Sequence, residues 1–456
     1  MNEPFIIEDS QLEGKEIYNE FLIPPLMRAV DELTAAFDKG LVHCISLNSY
    51  RKEKIYETPL WYNGIKTRAM GSNNRPIINR CFFYTSHYIG SFIYDKTTII
   101  IKPRFGNSVF NYLVQYATNL YFPEGLSDFD IRRSNPSWLI ALIWKAMLNK
   151  AITCSQIPKQ YIIETKNIRH FKGKLALKQH LRSNLVDKSR FYCTYHKLSM
   201  NNTINRTIRY TLKLLKKHNA LPLLQEFNAY DNKLKEFGVS DCPVTIKEID
   251  SISFNKMTEP YKDIINICKL IIENHDGKKT NRADKPNGLS YLIDIAELWE
   301  MYLLKLLQRH LSEYQIYSPN IGLGDFLLDE NARSIRPDII IEKDGKIIMI
   351  IDAKYKKYSQ IGKNASISGS VSREDLYQMC TYLYHYGNQE NNIVGIFVSP
   401  FSNEMNDLHK FTRNVKHRIG ILNLPFEENA TIHDIHNAED LFIQQLRNIL
   451  SPKKQR

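Results

Sequence analysis

Several absences narrow the chemistry before any motif is considered. No run of about 18 apolar residues occurs, so no membrane-spanning helix is expected. The seven cysteines (Cys44, Cys81, Cys154, Cys193, Cys242, Cys268, Cys380) are scattered, odd in number and never spaced C-x-x-C. Neither a zinc site nor a disulfide framework is therefore expected, and each thiol reads as a small buried hydrophobe. H-E-x-x-H, G-x-S-x-G and G-x-G-x-x-G are all missing. So is G-x-x-x-x-G-K-[ST]: Gly277-Lys278-Lys279-Thr280 has no upstream glycine and follows no strand. The chain thus has no nucleotide site of its own, and any nucleotide hydrolysis has to come from a partner. The opening MNEPFIIEDSQLEGKE holds no basic stretch followed by an apolar one, so a soluble, cytoplasmic protein is expected, with no membrane partner. No internal repeat at a period of about 20–50 residues is visible.

Acidic residues are also scarce, but locally. The 456 residues include 61 Lys+Arg against 49 Asp+Glu, a net charge of +12. Between Lys150 and Lys217 stand sixteen Lys or Arg and two acids, Glu164 and Asp187. That segment alone carries +14 and leaves −2 for the rest of the chain. Such a segment is either a solvated face of ordinary helices or a surface for phosphates or an acidic protein. The interleaved Tyr161, Phe171, Phe191, Tyr192 and Tyr195 suit nucleic acid contact and equally suit a core.

Composition, at 43% hydrophobic and 24% charged residues, fits a soluble globular protein, and the length allows two to four domains. Residues 1–125 read as mixed α/β, with FFYTSHYIGSFIYD and TTIIIKPRFG as strand signals. Residues 126–287 are basic and largely helical, with helical apolar spacing over Ser137–Met147 and Ile204–Leu215. The polar stretch Asn274–Gly288 is the best boundary or exposed loop. Residues 288–456 form an α/β domain. It begins with one long helix over Leu289–Leu311, then strands around Tyr314–Ser318, Asp325–Leu328 and Ile335–Glu342. An Asp344-Gly345 turn leads to Lys346–Lys354. A Ser/Gly-rich loop, Ser359–Ser372, precedes a helix started by the capping pair Ser372 and Asp375. Strands at Val394–Ser399 and His417–Leu422 and a closing helix over Asp440–Ile449 complete it.

The chemistry concentrates on one hairpin, RPDIII (Arg336–Ile341) and IIDAK (Ile350–Lys354). Side chains alternate along a strand, so Asp352 and Lys354 share a face. A two-residue turn sets Asp338 opposite Ile351, whereas one bulged residue would set it opposite Asp352. Pro337 cannot donate to the ladder, so its strand begins or is bulged there. Two carboxylates and an ammonium at the end of one sheet suit Mg²⁺, a hard cation commonly held by one or two carboxylates with several waters. Such a cation polarises a phosphoryl oxygen and acidifies a coordinated water, while Lys354 orients or deprotonates that water or stabilises phosphate charge. The alternative is an Asp-Lys surface pair, but the apolar IIMII before Asp352 makes unpaired charge there costly. Upstream, Asp294, Glu297 and Glu300 recur on one side of a helix. They read as a solvated edge, with Glu300 an additional candidate for the metal site.

Pro337-Asp338 followed by Asp352-Ala353-Lys354 resembles the PD-(D/E)XK nuclease signature in its D-x-K form, and Gln378-Met379-Cys380-Thr381-Tyr382 resembles the Q-x-x-x-Y element of its RecB-like members. Further stretches in order are Tyr88-Ile89-Gly90, IIIKPRFG, Phe171–Lys174, LSMNNTINRTIRYTLKLL, IRPDIIIE and IIDAKYK. They are similar to the McrC family, the nuclease subunits of McrBC-type modification-dependent restriction systems. The resemblance implies that residues 288–456 form a PD-(D/E)XK restriction-endonuclease-like domain and that residues 1–125 dock a partner. It implies an Mg²⁺-dependent DNA endonuclease acting with, and stimulating, an McrB-like AAA+ GTPase ring that recognises modified DNA. Asp338 and Asp352 would bind metal with the Ala353 carbonyl, Lys354 would act on the water, and Gln378 and Tyr382 would position DNA or the metal shell. Two rivals stand beside it: a RecB-like nuclease that needs no ring, and a non-cutting, DNA-clamping regulator of a ring GTPase. The basic segment lies upstream of this hairpin, which assigns it to binding DNA or an acidic partner. Replacing Lys172, Lys174, Lys178 and Arg182 together by Ala is expected to weaken DNA binding or assembly with the partner, read by titration of each. Retention of both would reduce the charge to solvation.

Overall fold

The structure is a computed structural model. It describes residues 5–10, 14–18, 21–38, 43–45, 58–70, 76–94, 97–118, 137–186, 188–217, 224–277, 291–319, 325–326, 334–356, 371–387, 392–401, 409–410, 417–428 and 430–450. The chain divides into two compact units. One joins Met1–Ser134 with Lys285–Arg456, and the other is Asn135–Asp284.

In the first unit the apolar N-terminal runs become strands. FIIE (β1, Phe5–Glu8) lies parallel to TTIIIK (β7, Thr97–Lys102), which forms a hairpin with YIGSFIY (β6, Tyr88–Tyr94). A second sheet has the order β2-β5-β4, from Lys15–Ile17 (β2), Leu60–Met70 (β4) and Pro76–Thr85 (β5). Helix α1 (Ile23–Asp38) buries Ile23, Leu26, Val30, Leu33 and Phe37, one apolar stripe at helical spacing, in a core shared with Phe83, Tyr88, Phe92 and Ile99. A short strand, β3 (His43–Ile45), and helix α2 (Gly106–Thr118) complete this part.

The second unit is built on α3 (Ser137–Cys154), α5 (Thr203–Lys217) and α8 (Lys262–Gly277), with shorter α6 (Asn228–Glu236) and α7 (Ile246–Asp250). Within its basic stretch lies an antiparallel sheet that helical reasoning missed: β8 (Gln160–Ile168), β9 (Lys174–Leu175) and β10 (Phe191–Ser199), ordered β8-β10-β9, beside α4 (Leu177–Ser183). The β-branched and aromatic residues of YIIET and FYCTY outweigh the helix-favouring lysines around them. Three thiols, Cys81, Cys193 and Cys268, are buried as expected, and the Trp144 indole N–H lies 3.2 Å from Cys268 Sγ. Cys154 and Cys242 are exposed instead, because they sit at a helix end and in a loop.

The C-terminal stretch corrects one expectation. Leu289–Leu311 is not a single helix: YLID (β11, Tyr291–Asp294) is a strand, and α9 (Ile295–His310) begins only after it. β11 pairs antiparallel with β6 and parallel with β3, completing the five-stranded sheet β1-β7-β6-β11-β3. Asp294 then caps α9, its Oδ1 accepting the Glu297 amide at 3.1 Å. The strand and the helix it feeds therefore tie the N- and C-terminal stretches into one unit. The remaining strands are β12 (Gln315–Tyr317), the isolated pair β13 (Asp325–Phe326) and β14 (Ser334–Ile335), β15 (Ile339–Lys343), β16 (Lys346–Ala353), β17 (Val394–Ser399), β18 (His409–Lys410) and β19 (Arg418–Asn423). A six-stranded sheet has the order β12-β15-β16-β17-β19-β18, with β16, β17 and β19 parallel. Every residue of β17 is buried, the continuous apolar pattern of a strand covered on both faces. Helix α10 (Arg373–Tyr386) packs Met379, Tyr382 and Leu383 onto Ile350 and Phe397. Gly395 permits that approach, since a Cβ there would stand 2.6 Å from Met379 Sδ. Helix α11 (Ile432–Leu450) closes the chain and starts eight residues earlier than the sequence suggested. Much of the proposed loops Asn274–Gly288 and Ser359–Ser372 lies outside the described residues, although α8 runs on to Gly277. Among the described residues no helix is long and apolar enough to cross a membrane.

Directly after β1, Asp9 is fully buried and accepts the Arg104 amide at 2.5 Å. Burial pushes its carboxyl up to about 7 against the hydrogen bond from Arg104 and the Tyr355 hydroxyl. A carboxyl raised in the folded state binds its proton there at pH values where the unfolded chain has released it. The stability it contributes therefore falls as pH rises from about 4 to about 7. Asp9→Asn is expected to flatten that part of the curve, by up to about 1.4 kcal/mol per pH unit, in denaturant unfolding measured across this range.

Candidate active site

The hairpin β15–β16 turns at Asp344-Gly345, where both residues have positive φ (51° and 74°), as a type I′ turn requires. From the turn, Lys343 pairs with Lys346 and Glu342 with Ile347, but Ile341 pairs with Met349. Ile348 is the extra residue of a β-bulge. The register beyond it runs Ile340 to Ile350 and Ile339 to Ile351, and one further step sets Asp338 opposite Asp352. Of the two registers open from sequence, the fold adopts the bulged one. Strand β15 begins at Ile339, after Pro337, as a residue with no amide proton demands.

The end of the sheet holds the sequence-predicted residues together. Asp338 Oδ2 accepts the Ala353 amide at 2.8 Å, locking the two strand ends. Asp352 is 2% exposed, and its Oδ2 lies 2.9 Å from Lys354 Nζ. The same ammonium donates to Gln378 Oε1 at 2.9 Å. Gln378 Nε2 donates to the Tyr382 hydroxyl at 2.8 Å, which donates to the Arg336 carbonyl at 3.0 Å. The chain of contacts starts and finishes on the same hairpin. Gln378 and Tyr382 thus act as a brace on Lys354, and each of their polar ends is satisfied.

Electrostatics follow from this crowding. Asp338 keeps partial solvent contact, yet lost hydration and then the nearby Glu300 and Asp352 carboxylates raise its carboxyl well above the ordinary value. Burial works to lower the Lys354 ammonium, but the Asp352, Asp338 and Asp375 carboxylates outweigh it and hold it above its usual value. In this arrangement the Lys354 ammonium is a donor held by the surrounding carboxylates. Burial and the Asp352 and Asp338 anions likewise keep the Tyr382 hydroxyl protonated.

Glu300 is drawn into the site through Asp338, so the expected solvated edge of α9 is not one. Glu297 is 2% exposed and Asp294 serves as the helix cap, because this side of α9 is turned into the protein. Sequence reasoning missed Asp375 as a site residue, having taken it for half of a cap. Ser372 Oγ does cap α10 by accepting the Asp375 amide at 3.2 Å, but the Asp375 carboxylate reaches Lys354 at 3.5 Å and Lys356 at 2.5 Å. Its spacing from Gln378 and Tyr382, three and seven residues, is a helical face, and that periodicity was the available signal. Lys172, Lys174, Lys178 and Arg182 lie exposed in the second unit, on or before α4. The Lys172 ammonium sits 4.8 Å above the Tyr195 ring.

The donor set fits a hard divalent cation. Four carboxylates (Glu300, Asp338, Asp352 and Asp375) and two ammonium groups (Lys354 and Lys356) are linked by these interactions, an excess of negative charge when all are ionised. Among the described residues no group of three or more His, Cys, Asp or Glu is placed to hold a metal ion by itself; Mg²⁺ is commonly held by one or two carboxylates with several waters.

The chain is similar to several known proteins. A family model described as McrBC 5-methylcytosine restriction system component matches residues 84–398. The Type IV methyl-directed restriction enzyme EcoKMcrBC of Escherichia coli (strain K12) is 24% identical over 246 residues, 53% of this chain and 70% of that protein. A chain of the half-complex from the tetradecameric assembly of Thermococcus gammatolerans McrB AAA+ hexamers with bound McrC shares the fold. The TM-score is 0.57 at 15% identity, covering 97% of this chain and 100% of the other.

Proposed function

The chain belongs to the family of McrBC 5-methylcytosine restriction system components, and from that premise we propose that it is the DNA-cutting subunit of such a system, an Mg²⁺-dependent endonuclease of the PD-(D/E)XK type. The observation that carries the reading is the convergence of Asp338, Asp352, Lys354, Gln378 and Tyr382 on one end of a buried sheet. A surface ion pair needs neither the bulge that aligns the two aspartates nor the brace that returns to Arg336. Its partner would be an AAA+ GTPase of the McrB kind, as in the similar Thermococcus gammatolerans assembly. That ring would read the modified DNA and be stimulated by this chain.

Asp338 and Asp352, with the Ala353 carbonyl, would hold Mg²⁺, and Glu300 would lie behind Asp338. Bound there, Mg²⁺ supplies Lewis-acid polarisation of the scissile phosphate and acidifies a water. The chain's own residues do the rest. Lys354 presents an ammonium to the non-bridging oxygens, where charge develops in the transition state. Gln378 fixes that ammonium's direction, and Tyr382 fixes Gln378 through the Arg336 carbonyl. The near-complete burial of Asp352 limits competing water around these groups.

Asp352→Ala is expected to abolish cleavage of methylated DNA by the full chain with its GTPase partner, and Lys354→Ala to lower the single-turnover rate by about 10²–10³-fold. GTP hydrolysis by the partner should remain stimulated in both variants. Wild-type cutting by the Asp352→Ala complex would refute the assignment, and cutting by the purified chain with Mg²⁺ alone would point to a nuclease that needs no ring. Glu300→Gln is expected to raise the Mg²⁺ concentration for half-maximal cleavage by about 10–100-fold, as loss of a residue supporting a metal ligand does. An unchanged Mg²⁺ titration would remove Glu300 from the site.

A further inference from the structure

The Asp375 carboxylate is placed where neither the D-x-K hairpin nor the Gln378–Tyr382 brace accounts for it. It is 6% exposed and bridges two lysines of one short segment, Lys354 through Oδ1 at 3.5 Å and Lys356 through Oδ2 at 2.5 Å. Burial alone would raise its carboxyl, but the Lys356 hydrogen bond and the Lys354 charge hold it below the ordinary carboxylate range. Its seat in the first turn of α10 favours an anion, and the cap of that helix uses its amide, while its carboxylate meets the two lysines and the Ser372 hydroxyl.

Counting donors shows what the bridge does. The Lys354 ammonium has three protons. It donates to Gln378 Oε1 at 2.9 Å and is in ion-pair contact with Asp352 Oδ2 at 2.9 Å and Asp375 Oδ1 at 3.5 Å. Once Asp352 directs its oxygens to a cation, Lys354 loses that ion-pair contact, and the Asp375 carboxylate on α10 keeps another. Lys356 is held from two sides, its side chain by Asp375 and its carbonyl by the Ser399 hydroxyl at 2.8 Å, while its side chain stays 40% exposed. We propose that Asp375 is a positioning residue for the cleavage reaction: it keeps the Lys354 ammonium aimed at the scissile phosphate when Asp352 turns to the metal, and it sets Lys356 as a second cation for the DNA backbone beside it. This rests on the endonuclease reading above.

The test is single-turnover cleavage of methylated DNA by the full chain with its GTPase partner, with DNA concentration varied. Asp375→Asn is expected to lower the rate at saturating DNA by about 10–100-fold while half-saturation moves less than threefold, and Asp375→Glu should recover much of the rate. If Asp375 acts through Lys354, adding Asp375→Asn to Lys354→Ala should lower the rate no further. A wild-type rate for Asp375→Asn, or a further loss in the double variant, would overturn the proposal. Asp352→Ala is the control. If it cuts, the endonuclease assignment itself fails and this inference with it, whereas an inactive Asp352→Ala beside a fully active Asp375→Asn removes only Asp375. Should Asp375→Asn fail to fold, Lys356→Gln reads the bridge from its other end. Half-saturating DNA should then rise severalfold with the saturating rate kept within about threefold, and a collapse of that rate to the Lys354→Ala level would contradict the division of roles.

Discussion

Charge buried at the end of a doubly covered strand is the constraint on which the rest of the site depends. Strand β16 runs through three consecutive buried residues, Met349, Ile350 and Ile351, into Asp352, and a carboxylate there loses most of its hydration. Left alone, it would cost several kcal/mol or take up a proton. The fold meets this with Lys354, then has to hold an ammonium that is itself largely buried, and does so with Asp375 and Gln378 on α10. Each new polar group requires another. The series closes only when Tyr382 reaches the main-chain carbonyl of Arg336, back on the hairpin where it began. A partly satisfied network would be worse than an apolar end to the sheet.

That closure depends on a single residue more than a turn away from the chemistry. Without Ile348 bulged out, the two-residue turn would set Asp338 against Ile351 and turn its carboxylate to the opposite face from Asp352. The bulge restores alignment while leaving the apolar alternation intact, with Ile350 facing α10 and its neighbours packed within the sheet. Alignment then has a consequence of its own. Burial first, and then repulsion from the nearby Glu300 and Asp352 carboxylates, raises the proton affinity of Asp338. A cation or a proton relieves that repulsion. The strain lies in the electrostatics of the strand ends, not in the backbone.

What the sequence displayed was local. Asp344-Gly345 between apolar runs announced the hairpin, Pro337 announced where its first strand could begin, and D-x-K placed two charges on one face by alternation alone. The bulge left no mark, because Ile347, Ile348, Met349, Ile350 and Ile351 are interchangeable in polarity and any one of them could be the extra residue. β11 was absorbed into the helix that follows it for a similar reason. YLID is apolar and short, and only partners some two hundred residues away, Ile89 and Gly90 of β6, make it a strand. Asp375 was legible in position but not in role: the same Ser-x-x-Asp spacing serves a helix cap whether or not the carboxylate has somewhere better to go. Here two lysines from a different element attract it more strongly than its own helix end.

The residue that follows Lys354 shows how far this constraint extends. Tyr355 is buried, with its ring against Phe105 and Phe401 at centroid separations of 6.2 and 5.7 Å. Its hydroxyl meets Asp9 at the end of β1, and Arg104, whose amide donates to the same carboxylate, lies 5.3 Å from the Phe401 ring. Lys354 therefore cannot shift along the strand without pulling an aromatic anchor away from Phe105 and Phe401. The Lys354 amide is held as well, donating to the Val398 carbonyl at 2.9 Å. Backbone, neighbouring ring and ammonium are each fixed by a different element. A lysine side chain has enough rotamer freedom to wander several ångströms. The sheet, the N-terminal strand and α10 together remove that freedom, so the ordering of the site is a property of the whole first unit rather than of the D-x-K hairpin that identifies it.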